Sequence, residues 1–213
     1  MLGLVPLASL RAPVVGGCTV GRVPCMRVVA NLLGDTSMTA LAEERALARR
    51  KESAGIVLFR VDPHGELELL LVHPGGPFWV RKDEGAWSIA KGEVDDERQS
   101  RDLLGVARRE FFEETGFKPE GDFVDLGSLK QRSGKRVHAW AVEGDWDPLT
   151  LRSNAVELEW PAKSGKIHRF PEVDRAAWFT VPTARKKILK GQEEFIDRLL
   201  SRLALSGRVT VAR

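Results

Sequence analysis

The run Arg109-Glu110-Phe111-Phe112-Glu113-Glu114-Thr115-Gly116-Phe117 constrains this 213-residue chain more than any other feature. It follows Leu103, Leu104, Val106 and Ala107, and the spacing predicts a helix from about Arg101 to Thr115, stopped by Gly116 in a left-handed cap. At 3.6 residues per turn, Glu110 and Glu114 lie one turn apart with Glu113 beside them, so three carboxylates crowd one side of the helix. Leu104, Phe111 and Phe112 point away from that side. Carboxylates held so close repel unless a cation separates them, and ligands offering only oxygen favour a hard divalent ion such as Mg²⁺. Arg109 stands one turn before Glu113, where it can orient it. An isolated acidic run of this kind is more often a solvated helix face, so the flanking sequence has to decide.

Upstream lies Trp87-Ser88-Ile89-Ala90-Lys91-Gly92-Glu93, a short strand breaking at a glycine, then a polar loop from Val94 to Ser100, then the helix. A strand, a glycine with a free carbonyl, a loop and a helix carrying R-E-φ-x-E-E-x-G-φ, with φ apolar, together resemble the Nudix box of the Nudix hydrolase family. Arg109, Glu110, Phe111, Glu113, Glu114, Gly116 and Phe117 fill every specified position of its second half. The first half departs from the pattern. Gly92 and Arg109 stand about three residues further apart than the family usually has them, Arg101 falls where a Glu is expected, and Glu97 is the only Glu nearby after Glu93.

The resemblance implies an α/β/α sandwich with a mixed β-sheet and the box helix on one side of it. It also implies Mg²⁺-dependent hydrolysis of a pyrophosphate bond in a compound linked to a nucleoside diphosphate, with Mn²⁺ able to substitute. In that scheme Gly92, through its carbonyl, and Glu110, Glu113 and Glu114 hold metal. Glu113, oriented by Arg109, accepts the proton of the attacking water, although the sequence does not separate Glu113 from Glu110 in this role. Lys91, beside the glycine, would overlook the metal as a point charge for polyphosphate. The segment Trp87 to Glu93 looks like the W-x-x-P-K-G-E of dinucleoside polyphosphate and diphosphoinositol polyphosphate hydrolases, with Ala90 in place of proline. A dinucleoside polyphosphate or a nucleoside triphosphate is the expected substrate. Arg81 is a second candidate phosphate contact, weighed against an ordinary solvated loop charge. Glu172, six residues before Trp178, is a candidate extra carboxylate, weighed against an ordinary loop Glu. The competing reading is a non-hydrolytic Nudix-fold nucleotide-binding module, which the lengthened loop and Arg101 favour and the intact carboxylates oppose.

Charge bears on partners. The chain carries 33 basic and 30 acidic residues, but residues 1–34 contain Arg11, Arg22 and Arg27 and no acid, which leaves 30 against 30 in the remainder. A balanced remainder gives no reason to expect nucleic acid, and no stretch approaches the roughly 20 apolar residues of a membrane span. A small phosphate-containing molecule is the expected partner, with a homodimer left open. Cys18 and Cys25 match no zinc spacing and read as incidental thiols of a reducing compartment. A cytoplasmic location is expected, without excluding organelle import through the acid-poor leader. Residues 1–37 read as a disordered leader, a mis-assigned start or a transit segment, and residues 38–213 as the Nudix hydrolase domain, opening with a polar helix from Thr39 to Lys51.

The rest of the chain supplies the sandwich. Ala54 to Arg60 and Glu66 to His73 read as a hairpin around Asp62-Pro63-His64-Gly65, and Phe123–Lys130 with Lys135–Val142 as another around Ser133-Gly134. His138 reads as a histidine at the edge of the core. Gly144 to Lys166 is expected to be a long connection, and Phe170 to Phe179 an acidic loop with a strand. Residues 182–205 are expected to form one or two closing amphipathic helices with Ile188, Leu189, Phe195, Ile196, Leu199 and Leu200 inward.

Overall fold

The computed structural model describes residues 52–95 and 99–206. The leader, the helix expected at Thr39 to Lys51, and Glu97 lie outside the described residues.

Strand β1 (Glu52–Val61) is the spine, and Ala54 to Phe59 are buried without interruption. An alternating pattern would leave one face wet. This apolar run needs cover on both faces and hydrogen-bonded neighbours at both edges. β1 pairs antiparallel with β2 (Leu67–Pro74) and with β3 (Ala90–Glu93), and parallel with β5 (Arg136–Glu143). β4 (Val124–Lys130) and β8 (Val173–Thr180) extend the sheet, giving the order β4-β5-β1-β2-β8 with β3 attached to β1. The one parallel pair needs a crossover, and helix α1 (Leu103–Thr115) lies in that connection.

Successive residues of β1 face opposite layers. Ala54, Ile56 and Leu58, with Leu70 and Val72 of β2, pack with Val106, Ala107 and Phe111 of α1. Val57 and Phe59, with Leu69 and Leu71, pack with Phe195, Ile196, Leu199 and Leu203 on the other side. The architecture is the expected α/β/α sandwich around a mixed sheet. The closing segment is two helices, α2 (Val181–Lys187) and α3 (Glu194–Leu205), separated by a 3₁₀ turn at Lys190–Gln192. Ile188, Phe195, Ile196 and Leu199 are buried as expected, while Leu189 and Leu200 are half-buried.

Four expectations need correction. Helix α1 begins at Leu103 rather than Arg101, because the Asp102 carboxylate accepts the Gly105 N–H at 2.8 Å as an N-cap, and Gln99–Arg101 form a separate 3₁₀ turn. Its other end is as read, with Gly116 at φ 78° and its N–H donating to the Phe112 carbonyl at 2.7 Å. Phe111 is 1% exposed, but Phe112 is 41% exposed with the Lys118 ammonium 4.7 Å from its ring centre. The buried stripe runs Val106, Ala107, Phe111, and one further residue turns about 100° towards water. Third, the strand expected at Trp87 starts only at Ala90, and Trp87 and Ser88 make single bridges to Ile188 and Val72.

The fourth correction is the largest. The span read as a connection folds into strand β6 (Ala155–Glu159), which pairs antiparallel with β7 (Ile167–Pro171) in a separate two-stranded ribbon. Val156, Leu158 and Trp160 do alternate with Glu157 and Glu159, so the strand period was present in the sequence.

Candidate active site

Helix α1 packs on β1 and β3, which brings its acidic stripe to the end of β3. Gly92 lies directly against the Glu110 carboxylate, so a Cβ at residue 92 would displace that side chain from its present place. Glu110 Oε1 meets the Arg109 guanidinium at 2.6 Å, and Arg109 Nη1 also donates to Glu113 at 3.2 Å. Arg109 thus orients Glu113 as expected and holds Glu110 as well. Glu114 accepts the Lys91 backbone N–H at 2.9 Å, which ties the helix to the residue before the glycine.

Burial raises both inner carboxyls. Glu114 is pushed from 4.5 up to about 8, mainly by desolvation and further by the negative charges of Glu110 and Glu172. Glu110 moves up for the same first reason, against the pull of Arg109 and with Glu113, Asp95 and Glu172 adding repulsion. Glu172 therefore stands within electrostatic reach of both, as an extra carboxylate at this site must. Lys91 is shifted down, chiefly by burial, while Glu114, Glu93 and Glu110 oppose that and the Lys135 ammonium reinforces it.

The other candidates fall elsewhere. Arg81 is exposed on a turn and makes no hydrogen bond or ion pair with the acidic groups among the described residues. The neighbouring Lys82 ammonium sits 4.5 Å over the Trp79 ring. His138 is half-buried on β5, burial lowers its pKa, and its Nε2 has no hydrogen-bond partner among the described residues, in keeping with a core-edge position. Sequence reading missed Asp95, which acts on both Arg109 and Glu110, and Lys135, whose Nζ meets Glu93 at 2.8 Å beside Lys91. The acidic Asp95-Asp96-Glu97 run was the available signal for the first. It also missed Asn154, whose N–H donates to the Glu113 carbonyl at 3.0 Å and whose carbonyl accepts the Glu172 N–H at 2.8 Å. Backbone bonds of this kind leave no mark in side-chain chemistry.

Glu110, Glu113, Glu114 and the Gly92 carbonyl, with Glu172 as a candidate extra carboxylate, offer oxygen donors only. Their mutual repulsion is what a bound cation would relieve, so their chemistry fits a hard divalent ion. Among the described residues no three acidic or imidazole side chains already stand as a metal cage, since Glu110 turns to Arg109 and Glu114 to Lys91.

The family described as NUDIX domain matches residues 49–199, and the chain belongs to that family. Among solved structures it is similar to the NUDIX domain of Shewanella oneidensis NrtR complexed with ADP ribose, at 16% identity and TM-score 0.55, covering 79% of this chain and 98% of that one. A MutT/nudix family protein from Enterococcus faecalis aligns at 16% identity and TM-score 0.50, over 82% of this chain and 70% of that one. A C. elegans Ap4A hydrolase aligns at 20% identity and TM-score 0.47, over 72% and 98%. No curated protein matches the sequence.

Proposed function

We propose that this protein hydrolyses a phosphoanhydride bond in a compound that joins a nucleoside to a chain of phosphates, using Mg²⁺ or, in its place, Mn²⁺. The observation that carries this reading is the set of half-buried carboxylates on α1, Glu110, Glu113 and Glu114, beside Gly92 and within electrostatic reach of the exposed Glu172. A cation bound there would neutralise phosphate oxygens and lower the pKa of a water. Glu110, Glu113, Glu114 and the Gly92 carbonyl, with Glu172 as a candidate extra carboxylate, are the residues that would hold it. Glu113, held by Arg109 at the margin of the cluster, is the proposed acceptor of the water's proton, with Glu110 the other candidate. Lys91 supports a phosphate as a point charge whose partial burial keeps water from screening it.

A module that only binds has no use for every acidic position of this helix, and the lengthened loop does not remove one. The hydrolytic reading therefore stands ahead of the non-hydrolytic one. Lys91 beside Gly92 favours substrates with three or more bridging phosphates. A Mg²⁺-dependent phosphate-release screen over nucleoside triphosphates, dinucleoside polyphosphates, diphosphoinositol polyphosphates, nucleotide sugars and ADP-ribose tests both claims. Turnover of the longer phosphate chains is expected to lead by kcat/KM. A lead for ADP-ribose overturns the substrate reading, and turnover of none overturns the hydrolytic one.

A further inference from the structure

The outward side of α1 carries a second charged feature, opposite in sign to the acidic cluster. At about 100° per residue, Arg109, Gly105 and Phe112 follow one another around the helix, with Glu113 next to Arg109 at one edge and Arg108 next to Phe112 at the other. Together with Lys118 and Pro119, just past the Gly116 cap, these four residues from Gly105 to Phe112 line an open cleft of about 400 Å³, within the range of small-molecule sites. None of the described residues lining it is acidic. Arg109 is already shared by Glu110 and Glu113, and the nearby Asp102 carboxylate is turned to the Gly105 N–H as the helix cap. Arg108 and Lys118 have no hydrogen bond or ion pair among the described residues. Their partners are rings: the Arg108 guanidinium lies 5.3 Å from the Phe123 ring centre, and the Lys118 ammonium 4.7 Å from that of Phe112. Such contacts hold a cation in place and leave its charge uncompensated.

We propose that this cleft binds the diphosphate group of a small anion, at a site separate from the acidic cluster, and that the bound anion draws Arg109 away from Glu113. Two separated, fixed cations suit two linked phosphates, and a guanidinium grips phosphate oxygens through paired N–H donors. Phe112, left outside the core, supplies the ring over which Lys118 is held. The coupling follows from Arg109, which belongs to both places. Its Nη1 reaches the two Glu113 oxygens at 3.2 and 3.3 Å, whereas its Nη2 meets Glu110 at 2.6 Å. The longer contact is the weaker one, and it is the one that a phosphate oxygen would replace. The kinetic consequence rests on the hydrolytic reading above, in which Arg109 orients Glu113. The binding itself does not.

The test is calorimetric titration of imidodiphosphate, whose bridge resists hydrolysis, into the full chain in EDTA, where no metal recruits an anion to the acidic cluster. One saturable site is expected, weakened roughly tenfold by Arg108→Gln and again by Lys118→Gln, as for a lost hydrogen bond to a charged group. Arg132→Gln, an exposed cation on the β4–β5 turn, is expected to bind like wild type. ADP bound with the same pattern of losses supports the site and places the diphosphate on a nucleotide, while exclusion of ADP supports it for the free anion. No saturable binding in wild type, or binding that both variants keep, overturns the site. Should a variant fail to fold, wild type still decides, because binding indifferent to NaCl excludes a site built on exposed cations. During nucleotide turnover at fixed free Mg²⁺, imidodiphosphate is expected to lower kcat in wild type and not in the double variant, whose own kcat is retained. A rise in KM alone, equal in both proteins, places the anion at the acidic cluster and overturns the coupling. If wild type turns over no nucleotide, the hydrolytic reading fails alone, and the titration in EDTA still decides the cleft.

Discussion

Helix α1 and the β6–β7 ribbon both border the acidic cluster, and they are built in opposite ways. α1 lays Val106, Ala107 and Phe111 into the core, and its carboxylates are fixed by Arg109, by the Lys91 N–H and by the absence of a side chain at Gly92. The ribbon puts no residue into either buried core cluster and leaves Val156, Ile167 and Phe78 beside it open to solvent. A buried, cross-tied element can hold charges where they repel, because rearrangement would open the core. An exposed ribbon cannot hold such strain, but it can vary its face at little cost to the fold. The first arrangement suits chemistry and the second suits choice of substrate.

The largest effect that sharpens this contrast is on the helix. Glu113→Gln keeps the shape and removes one charge, and kcat is expected to fall on the order of 100-fold or more, the scale of losing a preorganised electrostatic group. A ribbon substitution that lowers kcat as far would erase the distinction between the two regions. Glu172 lies where they join. Glu172→Gln is expected to weaken activation by Mg²⁺ roughly tenfold, the lower end for a residue supporting a metal, which a titration of rate against Mg²⁺ would read. An unchanged activation curve would place Glu172 with the ribbon rather than the site.

A smaller effect comes from pH. Glu114 is raised from 4.5 to about 8, so between those values the folded, metal-free protein holds a proton that the unfolded chain has lost. Stability without metal is therefore expected to decline as pH rises from about 5 to 8, with Glu110 adding in the same direction. Glu114→Gln should melt like wild type near pH 5 and above it near pH 8. A flat difference across that range would mean that the carboxyl is not desolvated. The smallest effect belongs to Glu97→Gln, at a position the family's spacing does not require, where kcat is expected to stay within scatter. A loss matching that of Glu113→Gln would bring the lengthened loop into the chemistry.

Several of these residues were legible before any fold was known. Glu110, Glu113, Glu114 and Arg109 declare themselves because helical periodicity turns their spacing into a common surface, and Gly116 because a left-handed cap suits glycine. A buried strand was legible from the continuous apolar run in β1, and the sandwich around it from the resemblance of the Gly92 to Phe117 segment to the family's box. Less visible were Phe112, whose exposure depends on which neighbouring stripe α1 buries, and the ribbon, whose alternation lies in a span with few apolar residues.

The sequence by itself determined the helix, its cap, its acidic stripe and the sheet's spine, since each depends on neighbours a few residues apart. Only the tertiary structure decided that Glu172 and Asp95 act electrostatically on Glu110, that Gly92 faces the Glu110 carboxylate, and that Asn154 and Gly75 fix the ribbon's base. Those are contacts between residues far apart in the chain or bonds between backbone groups alike in every residue. Such pairings follow from how the layers close over the sheet, and local spacing carries no trace of them.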